Sequence, residues 1–122
     1  MNGTMSDIEV MEFVKKSFPE FYADFQDTDA NNYIYSLMQS LYLFTQDRIE
    51  AEDYKIVRKA LQTVETIYRM GDKDVRNAID SVFISSYAHY LREMPQLKTM
   101  VLSMTPIPVY NLYINHILHR AA

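Results

Sequence analysis

The sequence predicts an all-α, single-domain bundle of five to six short helices, and three observations support this fold class. Only two glycines and four prolines are available for tight turns, too few for a sheet protein with many hairpins. Apolar residues recur at spacings of three and four along most of the chain, the period of amphipathic helices. At 122 residues the chain fits one domain, residues 1–122, which is large enough to bury a core.

The first helix is predicted to begin at Asp7, because Ser6 and Glu9 have the spacing of a capping box, and to end near Phe18 before Pro19. Its predicted inward stripe is Ile8, Met11, Val14 and Phe18. The acidic and aromatic segment EFYADFQDTD follows and has no stable period. We expect an irregular or single-turn connection there.

The second helix is predicted to be capped by Asp29 and to end near Gln46. Its apolar arc comprises Tyr33, Ile34, Leu37, Met38, Leu41, Tyr42 and Phe44. The third helix has two possible starts, at Asp47 or at Asp53. Once it has begun, its apolar positions repeat regularly at Tyr54, Val57, Leu61, Val64 and Tyr68.

The third helix is predicted to end in a tight reversal at Gly71 and Asp72. Gly71 would supply the left-handed residue that closes one helix, and Asp72 would accept the first free amide hydrogens of the next. The two helices should therefore lie antiparallel and in contact. The fourth helix is apolar on most sides, which predicts a place in the middle of the bundle.

The C-terminal quarter of the chain is predicted to form two more helices separated by a rigid break. Pro95 ends the fourth helix or opens a short fifth one. The run from Thr105 to Pro108 contains two prolines and should interrupt the helix, because proline disfavours a helical residue before it. A last helix is then predicted from Val109 to about Arg120.

Composition narrows the class of protein. The chain has no cysteine, so it can form neither a disulfide framework nor a thiolate metal site. Its N-terminus lacks the basic start and apolar run of a secretory signal, and no apolar run approaches the roughly 20 residues of a membrane span. We expect a cytoplasmic protein that does not enter a membrane.

The charge distribution is strongly uneven. A net charge of −4 argues against nucleic acid as a partner, since such proteins neutralise phosphates with clustered Lys and Arg. Residues 20–53 hold eight acids and one base, Arg48, and so carry −7. This asymmetry could steer a basic partner towards one part of the molecule.

The acidic run has two readings that the sequence leaves open. It is either a solvated surface or a binding surface for a protein partner, because aromatic residues alternate with the acids and tyrosine is common in binding hot spots. On the second reading the partner-binding residues are Tyr22, Asp24, Asp27, Asp29, Tyr35, Glu50 and Glu52.

The sequence offers no set of residues with a recognisable catalytic spacing. His116 and His119 lie three apart on one helical face, which is half of a metal site, but no further ligand accompanies them in a known motif. The acids lack the alternation, central glycine and closing glutamate of a calcium loop. We therefore expect no metal, no cofactor and no enzymatic activity.

Three segments resemble an uncharacterised family of short, all-helical bacterial proteins: FVKKSFPEF, DYKIVRKALQTVETIY and YRMGDKDVRNAIDSVFISS. Members of that family show a helix ending in Phe-Pro-Glu, an acidic connection, a helix closing on Tyr-x-x-Gly-Asp, and then Val-x-Asn-Ala-Ile. The matching positions here are Phe18, Pro19 and Glu20; Tyr68, Gly71 and Asp72; and Val75, Asn77, Ala78 and Ile79. The resemblance covers roughly residues 8 to 91.

Some relatives in that family resemble immunity proteins encoded beside polymorphic or contact-dependent toxins. The resemblance implies a protein that binds and occludes one cognate toxin, and it supplies no catalytic residues. An acidic, tyrosine-bearing surface would suit a basic toxin domain. The alternative is a helical adaptor or regulatory domain that forms a homodimer through apolar faces left exposed on the terminal helices.

Overall fold

Helices account for most of the residues that the computed structural model describes, which are residues 4–24 and 33–121. The side chains of residues 22–24, 33, 120 and 121 are outside this description. The helices are α1 (Asp7–Ser17), α2 (Pro19–Asp24), α3 (Tyr33–Glu50), α4 (Tyr54–Met70), α5 (residues 73–93), α6 (Pro95–Ser103) and α7 (Ile107–Ala121). The described part contains no strand, so the all-α prediction is confirmed. The short α2 lies where an irregular or single-turn connection was expected, and it brings the helices of the described part to seven, against the five to six predicted.

Helix α5 lies in the middle of the bundle, as its apolar sequence predicted. It contacts α3, α4, α6 and α7, and its buried side chains form one continuous core with theirs. The buried residues of α5 are Val75, Ala78, Ile79, Phe83, Ile84, Tyr87, Ala88, Tyr90 and Leu91. The central part of this helix, Ile79–Ile84, is a π-helix.

The spacing of the apolar residues explains the π-helical segment. Val75, Ile79, Phe83, Tyr87 and Leu91 are each four residues apart, whereas an α-helix has 3.6 residues per turn. In a regular α-helix this stripe would rotate steadily away from the core. A π turn, with hydrogen bonds from i to i+5, holds more residues per turn. The wider turn keeps the stripe buried along the length of α5.

The start and end of α1 follow local rules, but its inward face differs from the prediction. The Ser6 amide donates to Glu9 Oε1 at 2.9 Å, which confirms the predicted capping interaction. Phe18, with φ −138° and ψ 75°, leaves the helical conformation before Pro19 and separates α1 from α2. The inward stripe is Val10, Val14 and Phe18, all fully buried, whereas Ile8 is 70% exposed. Including Ile8 in the core was therefore wrong.

The reversal at Gly71 exists, but not for the predicted reason. Gly71 has φ −76° and ψ 156°, an extended conformation open to any residue, so the left-handed assignment was wrong. Asp72 does cap α5, since its Oδ1 accepts from the Val75 amide at 2.9 Å. The extended backbone instead pairs with Met5: the Met5 amide donates to the Met70 carbonyl, and the Asp72 amide donates to the Met5 carbonyl at 3.0 Å. The segment before α1 thereby closes this end of the bundle.

The left-handed residue lies between α3 and α4, at Glu52, with φ 59°. The Asp53 amide donates to the Arg48 carbonyl at 2.9 Å and the Glu52 amide donates to the Ile49 carbonyl at 3.0 Å. This pair of bonds is a Schellman motif with Glu52 in the position usually held by glycine. It ends α3 at Glu50, four residues beyond the predicted end, and leaves Asp53 as the correct one of the two predicted starts for α4.

Replacing Glu52 with glycine is expected to raise the free energy of unfolding by about 1 kcal/mol. A residue with a Cβ loses roughly that amount in the left-handed conformation, and glycine does not. Urea denaturation measures the change. The matched control is Ala51→Gly, one residue earlier, which gains no such relief and should lose about 0.5 kcal/mol or more. Equal effects at both positions would contradict the assignment of the strained residue.

Candidate functional site

A groove of about 560 Å³ runs between the second half of α3 and the last part of α5. We call it the α3–α5 groove. It is lined by Tyr42 and Gln46 from α3, and by Ser85, Ser86, His89, Tyr90, Glu93 and Met94 from the end of the π segment onwards. π turns inside α-helices are frequent at functional sites, and this one directly precedes the two serines.

A chain of hydrogen bonds runs along one wall of the groove. Tyr42, Gln46 and Glu50 lie four residues apart on α3 and so share one face. The Tyr42 hydroxyl donates to Gln46 Oε1 at 2.7 Å, and Gln46 Nε2 donates to Glu50 Oε2 at 3.4 Å. From α5, the Tyr90 hydroxyl donates to the same Glu50 oxygen at 3.3 Å. Glu50 therefore joins the two walls.

Two effects raise the pKa values of the two tyrosines in the groove: burial and the negative charge of Glu50. Burial first, and then the Glu50 carboxylate, raise the pKa of Tyr90 to about 12. Burial also raises the pKa of Tyr42, with smaller contributions from Tyr90 and Glu50. Both hydroxyls act as hydrogen-bond donors in the groove. The groove can hydrogen-bond and attract a cation, and its two tyrosine rings can pack against one.

Next to Glu50, a group of carboxylates surrounds the turn between α3 and α4. We call it the acidic end: Glu20, Asp47, Glu50, Glu52 and Asp53. A second, smaller groove brings Glu20 from α2 beside Asp47, Arg48 and Asp53. Arg48 forms ion pairs with Asp47 and, at 3.6 Å, with Asp53, and it lies over the Phe44 ring at 5.9 Å. Arg48 thus pairs with two of these five carboxylates.

The structure brings together only some of the predicted partner-binding residues. Glu50 and Glu52 are exposed and adjacent at the acidic end. Tyr35 is exposed, but it lies 15 residues before Glu50 on α3, about 22 Å away along the helix. Tyr22 and Asp24 belong to α2, with side chains outside the described part, and Asp27 and Asp29 lie outside the described residues altogether, as does the predicted cap at Asp29.

Sequence reasoning missed most of the groove. The spacing of Tyr42, Gln46 and Glu50 was readable as one helical face, and the four-residue spacing in α5 signalled the π turn. No sequence signal, however, links Glu50 to Tyr90, 40 residues away. Asp47 and Asp53 were predicted as possible helix starts and counted in the acidic run, but not among the partner-binding residues, yet they form the ion pairs of Arg48.

The two C-terminal histidines lie elsewhere, in a depression with Tyr68 and Asp80. Burial raises the pKa of Asp80, and the nearby His116 lowers it. Among the described residues, no group of three or more histidine or acidic side chains is arranged to hold a metal ion. No described helix is both long enough and apolar enough to span a membrane.

The fold and the groove define a small all-α domain with a groove that mixes apolar surface with hydrogen-bonding side chains, and with an acidic end. The chain belongs to a family described as a domain of unknown function, DUF7674, whose family model matches residues 11–120. This span continues through α6 and α7, beyond the segment of roughly residues 8 to 91 that carried the resemblance noted from the sequence. The family's description says nothing about immunity or toxins. Searches of curated proteins and of solved structures found no match.

Proposed function

We propose that this protein is a non-catalytic, immunity-like inhibitor that binds a basic protein toxin through the acidic end and blocks it by stoichiometric occlusion. The observation that carries the proposal is the groove in which Glu20, Asp47 and Asp53 lie beside Arg48, with the exposed Glu50 and Glu52 next to it at the end of α3. Such a negative surface speeds encounter with a positively charged partner and disfavours acidic ones.

The position of these acids supports a binding role because it is unfavourable for the fold. Asp47 and Glu50 lie in the last turn of α3, where the negative end of the helix dipole repels carboxylates. Glu52 occupies a left-handed conformation that glycine would adopt without strain. Residues that cost stability are often found where function requires them.

The α3–α5 groove extends this surface and suggests how a partner would be anchored. An arginine or lysine side chain from the partner could enter between Tyr42 and Tyr90 and pair with Glu50. A buried cation of this kind, packed on aromatic rings, is typical of a binding hot spot. The rim acids Glu20 and Glu52 would then act mainly on the rate of association.

Neutralising the rim with Glu20→Gln and Glu52→Gln is expected to slow association with the product of the adjacent gene about tenfold at low salt, with little change in dissociation. Neither side chain makes a hydrogen bond or ion pair within the described part of the chain, so the fold should not change. Stopped-flow association rates, measured against ionic strength, test the proposal. The wild-type rate should fall steeply with salt, and the variant's rate should fall less.

The control is the pair Glu12→Gln and Asp74→Asn, which removes the same charge from exposed positions on α1 and at the start of α5. It should leave most of the association rate intact. Equal slowing by both pairs would show that net charge matters and the acidic end does not. Absence of any complex with the adjacent gene product would leave the acidic run as a solvated surface.

A second candidate function, the self-associating helical domain expected as the alternative, is favoured by a different observation. The outer face of α7 carries exposed apolar side chains, including Ile107 at 74% and Leu118 at 62%.

A further inference from the structure

Helix α7 is apolar on two separate faces. Its inner face buries Val109 and Tyr113 in the core. Its outer face carries Ile107, Tyr110, Ile114 and Leu118, spaced three, four and four residues apart, which we call the α7 stripe. At 100° per residue these four positions fall within about 80° of one another, centred about 120° around the helix from Val109 and Tyr113. The Tyr110 ring lies between the two faces, with its centroid 6.1 Å from that of Tyr113. A helix with only one side packed on its own core leaves the other available for a partner.

The stripe is well exposed. Ile107, Tyr110 and Leu118 are 74%, 38% and 62% accessible, and Ile114 between them is half-buried and also packs against the core. Large exposed apolar side chains are common singly, but a continuous row along one helix marks an interaction surface. No acidic residue occurs between Ile107 and Ala121, although the whole chain carries −4. Two copies can therefore approach through α7 with little repulsion between like charges.

We propose that the α7 stripe is the centre of a homodimer interface in which two α7 helices pack antiparallel around a two-fold axis. The spacing is nearly the same when read in either direction, so Ile107 of one copy faces Leu118 of the second copy, and Tyr110 faces Ile114. An isologous interface requires this kind of self-complementary surface. Antiparallel packing also places the two helix dipoles in opposite directions. The proposal is independent of the proposed inhibitor function.

The area of the stripe sets the expected strength of the dimer. A standard interface buries about 800 Å² on each partner, and four side chains on one helix supply less than that. The stripe must therefore be the apolar centre of a small interface, with the exposed Asn111 and Asn115 on one rim. We expect a reversible dimer whose population depends on protein concentration.

Light scattering and sedimentation equilibrium across a wide concentration range test the dimer. Leu118→Lys should raise the dissociation constant about tenfold or more, because it places a charge in the apolar centre. The matched control is Leu43→Lys on α3, which changes a leucine of similar exposure, 51%, outside the stripe and should leave the dimer unchanged. A chain that stays monomeric at every concentration, or a dimer that Leu118→Lys does not weaken, would overturn the proposal.

Cysteine cross-linking tests the orientation, since the natural chain contains no cysteine. A mixture of the Ile107→Cys and Leu118→Cys variants should form a mixed disulfide across the interface. Each variant alone should form little, because like positions lie about 16 Å apart in the antiparallel pair. Efficient linking of Ile107→Cys to itself would show a parallel arrangement and contradict the antiparallel one. A monomer that instead binds vesicles through this face would identify a membrane surface as the occupant and overturn the dimer.

Discussion

Replacing Gly71 with alanine is expected to lower the free energy of unfolding by about 2 to 3 kcal/mol. A Cβ at this position would lie 2.5 Å from Val75 Cγ1 and 2.6 Å from the Ile67 carbonyl oxygen. One of these contacts is with backbone, so α4 itself would have to shift. The extended conformation of Gly71 is open to alanine, and without the clash this substitution would stabilise the protein slightly. A loss of stability in Gly71→Ala would therefore indicate the steric clash, whereas a gain would indicate that the clash is absent.

The measurement is urea denaturation of Gly71→Ala, Val75→Ala and the double variant. Trimming Val75 removes the nearest contact, so the double variant should lose less stability than the two single variants together. The Ile67 carbonyl remains close, and recovery should be incomplete. Additive losses, or an unchanged unfolding midpoint in Gly71→Ala, would contradict the close approach of α4 and α5 at this reversal.

Replacing Thr105 with valine is expected to cost about 2 to 3 kcal/mol, because it leaves a buried hydroxyl without a partner. Thr105 Oγ1 donates to the Val101 carbonyl at 2.9 Å and is in hydrogen-bonding contact with the Tyr87 hydroxyl. Since the threonine proton is committed to Val101, the tyrosine is the donor in this pair. Tyr87 is fully buried in the core and can find no water in place of Thr105.

Because Tyr87 donates and Thr105 accepts, the two single substitutions should differ in the stability they cost. Tyr87→Phe removes the donor itself and should cost only about 1 kcal/mol, less than Thr105→Val, and the double variant should lose less than the sum of both. Ser103→Ala is the control, because Ser103 donates to the Met100 carbonyl at an exposed position and should change stability by less than about 0.5 kcal/mol. A larger loss in Tyr87→Phe than in Thr105→Val would contradict the assigned donor.

The helices and many of their ends were predictable from local sequence patterns. Capping by Ser6 and by Asp72, and the interruption at Pro19, depend on residues within four positions of one another, so their chemistry is local. The central place of α5 was also predictable, because a helix that is apolar on most sides can bury those sides only inside a bundle. The family match covers residues 11–120 and adds no function.

Other features depended on contacts between helices, because the local sequence pattern fitted more than one arrangement. In α1 both Ile8 and Val10 fit a helical stripe, and packing on α3 and α4 buried Val10. Glycine at position 71 indicated a left-handed turn, but its lack of a Cβ instead leaves room for Ile67 and Val75, which lie close to it. The left-handed conformation is adopted by Glu52. The α3–α5 groove depends on Glu50 meeting Tyr90 across 40 residues. Spacing along one helix shows which side chains share a face, but only packing between helices determines what that face meets.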